Sequence, residues 1–272
     1  FEQAYWASKG PTADGRSKPD VVAPCTLLHT VRTFAKDSAT TAGQGGSGLL
    51  WDNGQDLILP DNNTNGYREY LFTEGTSFSS PITAGATLLI RQYFTDVKSY
   101  AAPTAALMKA TLIAGAQDMG YGYVAGNGAA SYNPSTAGLT YTNNGRNVQG
   151  WGLINIRQSL SPKAPYNWTY TDNTTGIATG ASWTTTFTVA DNSVPARVVL
   201  VWSDPQGAGG SSAQLINDLD LTVTGGGHTW RGNNFLTTYA GGHYTVMDGS
   251  FTDRANNVEV ANIQPSDLAV GT

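Results

Sequence analysis

The chain has 272 residues, of which 40% are hydrophobic and 13% charged, and its formal net charge is −5. It is long enough to bury a substantial core as one domain or two modest ones, and too apolar to be disordered. Mild acidity without a basic run gives no reason to expect nucleic-acid or anionic-membrane binding, and no apolar stretch approaches a spanning helix.

The chain begins at Phe1 with neither an initiator Met nor a signal-peptide pattern, so a processed or truncated start is expected. Ser8-Lys9-Gly10-Pro11 and the run Asp14-Gly15-Arg16-Ser17-Lys18-Pro19-Asp20-Val21-Val22-Ala23-Pro24 come first, the latter containing a short strand at Val21 to Ala23. Cys25 is the only cysteine, so no internal disulfide forms. Residues 36–66 are rich in Gly, Asn, Ser and Thr and read as a surface loop, placed where it could border a substrate groove.

Gly75-Thr76-Ser77-Phe78-Ser79-Ser80-Pro81 then runs directly into an apolar helical stretch, Ile82 to Phe94. A serine at a helix N-terminus sits where unpaired backbone N–H groups can receive an oxyanion, and Gly75 lets the backbone pass close to a substrate. Pro81 is expected in the first helical turn, where its missing N–H costs nothing. A second helix is predicted over 104–114, a polar insert over 120–148, and a tight turn at Gly150-Trp151-Gly152-Leu153-Ile154-Asn155. A Ser/Thr-rich N-cap before an ordinary buried helix would explain the Gly-Thr-Ser segment alone.

Three segments together carry more. Gly75 to Pro81 resembles the nucleophile motif of the subtilisin-like serine proteases, and Ser8 to Pro24 resembles the segment ASxxGPTxDGRxKPDVxAPG that precedes it there. Leu107 to Ala116 with the Gly-Trp-Gly turn is similar to the close of that catalytic domain. The resemblance implies a secreted serine endopeptidase acting on protein or peptide substrates. Ser77 is the implied nucleophile, its backbone N–H an oxyanion donor, and the Thr76 hydroxyl a weaker helper. Cys25 stands where the family has glycine, and Phe78 where it commonly has methionine.

The triad needs a histidine and an orienting aspartate, in the chain order Asp, His, Ser. His29, His228 and His243 are the only histidines, and none has the family's His-Gly-Thr-His context. The aspartate, the histidine and the oxyanion asparagine are therefore expected on polypeptide N-terminal to Phe1, the remainder of the same enzyme and this chain's expected partner. His29 is expected to be a surface or partly buried side chain, not a base.

A composition shift at Pro162-Lys163-Ala164-Pro165 predicts a boundary between residues 1–163 and 164–272. The expected fold is an α/β subtilisin-like catalytic domain, its C-terminal half only, followed by an antiparallel β-sandwich of jelly-roll type that is itself cut short. Strands are predicted from alternation at Trp183, Thr185, Phe187 and Val189, from Val198 to Trp202, and at Leu219, Leu221 and Val223. Val201 to Pro205, Ile216 to Leu221 and Asn256 to Glu259 resemble motifs of the jelly-roll that follows some bacterial alkaline subtilases.

Asp204, Asp218, Asp220, Asp253, Asn257 and Glu259 offer hard oxygen ligands suited to a structural Ca²⁺, common in that family; a solvated polar strand face is the equal alternative. No His/Cys cluster supports zinc and no organic cofactor is implied. Asn62-Asn63-Thr64, Asn167-Trp168-Thr169 and Asn173-Thr174-Thr175 are glycosylation sequons, used only in a eukaryotic secretory pathway. The alternative function is a non-catalytic binding or stabilising module, inactive by itself.

Overall fold

The structure, a computed structural model, describes residues 3–4, 7–26, 28–31, 70–119, 124–125, 146–235 and 244–272. The predicted 36–66 loop, most of the 120–148 insert, and the Asn62 sequon lie outside the described residues. Two compact units emerge, Pro24–Ile82 and the union of Phe1–Ala23 with Thr83–Thr272.

In the smaller unit, β2 (Leu28–Val31) pairs antiparallel with β3 (Tyr70–Thr73), with Leu28 opposite Thr73 and Val31 opposite Tyr70. Helix α1 (Thr76–Gln92) starts there, six residues before the apolar run that predicted it, and continues into a π-helical turn, Tyr93–Val97.

The larger unit takes the rest of α1. Its buried residues Ala86, Ile90 and Phe94 recur every four positions, which places them on one face against Leu107 and Leu112. Phe94 meets Tyr100 and Tyr170 edge-on, at centroid separations of 5.4 and 5.0 Å. Helix α2 (Ala105–Gly115) matches the predicted 104–114. Thr104 is its N-cap and accepts from the Leu107 N–H at 3.1 Å. A short parallel pair joins β1 (Gln3–Ala4) to β4 (Val124–Ala125), and α3 (Arg146–Gln149) and α4 (Ile156–Leu160) flank the Gly-Trp-Gly turn.

That turn is stitched on both sides. Val22 donates to Gly152 O and receives from Ile154 N, both at 3.0 Å, while Gln117 and Leu153 exchange two bonds of 2.8 Å. Gly150 (φ 61°) and Gly152 (φ 117°) occupy backbone that favours glycine, and a Cβ on either would collide with the carbonyl of Pro19 or Gln117. The strand expected at Val21 to Ala23 is thus a single bridge, Val22 to Leu153.

The described residues between 196 and 263 include two antiparallel sheets. One pairs β5 (Ala196–Val201) with β9 (Val258–Ile263), and the other orders β6 (Thr222–Gly225), β7 (His228–Phe235) and β8 (Thr245–Met247). All six residues of β9 are buried, because it is covered on both faces. Ala261 and Ile263 join Val223, Trp230, Val189 and Leu268 in one core, whereas Val258 and Val260, on the opposite face, pack with Ile113 of α2. Residues on either side of position 163 therefore share a core.

Two strand expectations are corrected. Residues 183–188 are exposed with no strand formed, Trp183 at 48% and Phe187 at 47%. Alternation predicts a strand only where a partner edge and a face to bury exist. Of that segment Val189 alone is anchored, by exchanging bonds with Thr272 O and Gly271 N. Asp218 to Leu221 likewise precede β6, since the Leu221 N–H is taken by the Glu259 carboxyl at 2.6 Å.

Candidate active site

Ser77 is the second residue of α1, so its N–H belongs to the first turn, whose N–H groups have no intrahelical acceptor. Thr76 and Ser77 are exposed, and Phe78 and Ser79 half-buried. Gly75, at φ 147°, turns the chain from β3 into the helix in a conformation that L side chains rarely adopt. The elbow is fixed at both ends of this turn. The Gly75 N–H donates to Cys25 O at 2.8 Å, and the Phe78 N–H closes back on Gly75 O at 3.0 Å. One helical step on, the Ser79 hydroxyl donates to Pro24 O at 3.1 Å. The Pro24-Cys25 end of the upstream motif thus holds the Gly75–Ser79 segment, a link that sequence order alone did not reveal.

Pro81 corrects its expectation. It is the sixth helical residue, not a first-turn residue, and the donor it lacks would have served the carbonyl of Ser77. The backbone of Ser77 therefore sits where the helix ladder is interrupted.

Cys25 is a free, half-buried thiol. Burial pushes it up, the Ser79 hydrogen bond opposes this, and the charge of Glu74 adds to it, so the thiol stays protonated at neutral pH.

Of the histidines, His29 lies in β2 and His243 outside the described residues. His228 opens β7, with Nδ1 2.7 Å from Asp248. That hydrogen bond, with one from the Thr229 N–H, holds Asp248 below the usual carboxylate range.

The six predicted calcium ligands are not gathered into one site. Asp204 accepts from the Ile216 and Asn217 N–H groups at 2.7 and 2.9 Å. Asp218 and Asp220 face Arg254, which bonds Asp218 closely and lies 3.7 Å from Asp220. Buried Asp253 accepts from Asn233, Ala255 and Asn256. Asn257 exchanges bonds with Trp202, its Nδ2 donating to Trp202 O at 3.1 Å. Glu259 is pushed up to about 8, by burial first and then by Asp253, Asp220 and Asp218, against the opposing Leu221 N–H. An arginine among the carboxylates does not fit a Ca²⁺ ligand sphere. Among the described residues no three His, Cys, Asp or Glu side chains form a metal-binding group.

A serine just past a glycine turn, at the head of a helix held by the Pro24 and Cys25 carbonyls, has the local form that a serine nucleophile requires. Residues 2–152 match the Subtilase family, and the chain belongs to that family of serine proteases. Two Dictyostelium discoideum proteins, serine protease/ABC transporter B family proteins tagD and tagB, are similar to it. The identities are 30% and 29%, over 93% and 80% of this chain. The chain spans only 15% and 12% of their lengths.

Proposed function

We propose that this chain is the nucleophile-bearing part of a secreted serine endopeptidase, which cleaves peptide bonds through an acyl-enzyme on Ser77. The carrying observation is the elbow itself, a serine at the helix N-terminus with its backbone fixed by Cys25 and Gly75. Attack of Oγ on the scissile carbonyl needs a base for its proton, and the resulting oxyanion meets the first-turn N–H groups at the positive end of the α1 dipole.

The base and its orienting aspartate come, in this reading, from the N-terminal remainder of the same enzyme, in the family's order Asp, His, Ser. The surface of α1 supports this. Opposite its buried face stand Ala84, Gly85, Leu88 and Leu89, with Leu88 67% and Leu89 52% exposed. A helix apolar on all sides is a buried helix, so this face suits further polypeptide.

Residues 164–272 act in this proposal as a jelly-roll that buttresses the catalytic part, with the division at 163/164 kept as a domain boundary. The test is hydrolysis of a peptide ester by the 272-residue chain alone and after complementation with the N-terminal half. Activity should appear only in the mixture and disappear with Ser77→Ala. Turnover by the chain alone, abolished by Ser77→Ala, would overturn the assignment of the base to other polypeptide.

A further inference from the structure

Glu74 is the residue immediately before the glycine turn of the elbow, and it is exposed. Among the described residues of the Pro24–Ile82 unit it is the only aspartate, glutamate, lysine or arginine. No described cation pairs with it.

Its position relative to Ser77 is constrained. Three peptide units separate the two residues, at most about 11 Å between Cα atoms. The turn closed by Phe78 N–H on Gly75 O shortens that span, and the bond from Gly75 N–H to Cys25 O anchors the peptide group that follows Glu74. Glu74 therefore lies within about 11 Å of Ser77, on a fixed turn of backbone.

We propose that Glu74 is a specificity-determining residue, which favours substrates carrying Lys or Arg within two residues of the scissile bond. The proposal rests on the reading of Ser77 as nucleophile. Opposite unit charges several ångströms apart at a solvent-exposed position attract enough for a preference of about three- to tenfold, and salt weakens it. The same carboxylate disfavours Asp and Glu at the position where it favours Lys. Because the charge is not catalytic, the preference resides in kcat/KM ratios between peptides of one length.

The experiment uses the complete enzyme, this chain together with the polypeptide carrying the triad histidine. Internally quenched peptides differing only by Lys or Glu, at each of the two positions on either side of one scissile bond, are compared at low and high salt. The wild type should prefer Lys about three- to tenfold at one or more of these positions, less so in high salt. Glu74→Gln should abolish the preference and Glu74→Lys reverse it. An active wild type with Lys and Glu peptides cleaved within twofold of each other would overturn the proposal, as would a preference unchanged in Glu74→Gln. Both results would leave Ser77 as nucleophile intact. A complete enzyme without Ser77-dependent turnover would instead sink the nucleophile reading and this inference with it.

Discussion

Thr76, Ser77 and Phe78 open α1 in consecutive positions, and each has a separable chemical consequence. In the proposed mechanism the hydroxyl of Thr76, an exposed residue at the first helical position, assists an oxyanion beside the Ser77 N–H. Thr76→Val should therefore lower kcat more than it raises KM. The loss should fall short of the roughly hundred- to thousandfold that removal of a direct oxyanion donor costs in subtilisin. An unchanged kcat in a folded variant would remove Thr76 from the mechanism. Phe78 offers no thioether to oxidise, so hydrogen peroxide should inactivate a Phe78→Met enzyme faster than the wild type. Equal rates would show residue 78 to be shielded or the loss to lie elsewhere. The glycine turn into the helix was legible because glycine carries a local backbone rule. The hold of Pro24 and Cys25 on the elbow was not, since hydrogen bonds across 50 residues leave no trace in spacing.

Helix α2 and strand β9 show what element-scale reading gains and misses. The apolar run predicted α2 correctly, but not its caps. Thr104 bonds Asp172 through its hydroxyl at 2.7 Å and its N–H at 2.9 Å, while Arg197 donates to the terminal carbonyls of Ala114 and Ala116 at 3.1 and 3.2 Å. A cation at the C-terminus and a braced N-cap both favour the helix dipole. Asp172→Ala should destabilise the fold by about 1 to 2 kcal/mol, read from urea midpoints, because it also strands the Thr104 N–H. Stability equal to wild type would show the brace to be incidental. In β9, Glu259 was read as a metal ligand from its oxygen chemistry, whereas its burial was invisible in sequence. Its folded-state value of about 8 lies above the ordinary 4.5, so between those values the folded state keeps a proton that the unfolded state releases. Stability should thus fall as pH rises from about 4.5 to about 8, by at most about 1.4 kcal/mol per pH unit. Glu259→Gln should flatten that dependence in urea melts. The same slope in both proteins would assign it to other groups.

At the scale of the whole molecule, residues on the two sides of position 163 are tied through packing and not merely by the chain. Ile113 is 1% exposed and shares its core with Val258 and Val260, and Arg146 stacks over Trp151 and Phe235 at 4.4 and 4.1 Å. Ser17 N–H donates to Asn256 at 2.8 Å. Composition located a change of pattern near 163 but could not show that β9 would be covered on its far face. Hydrophobic alternation reports that a strand has apolar sides, not what lies against them. Ile113→Ala should cost about 2 to 5 kcal/mol and unfold the α2 region and the β5–β9 sheet together, which hydrogen exchange would detect. Independent exchange of the two would show a divisible pair of domains.

In the proposed mechanism Ser77 is a nucleophile activated only by a base on other polypeptide of the enzyme, and labelling with a fluorophosphonate followed by peptide mapping reports whether that serine is activated. The label should be absent from the isolated 272-residue chain and appear on Ser77 when the N-terminal half is supplied. Rapid labelling of Ser77 in the isolated chain, or labelling of a different serine in the completed enzyme, would contradict it.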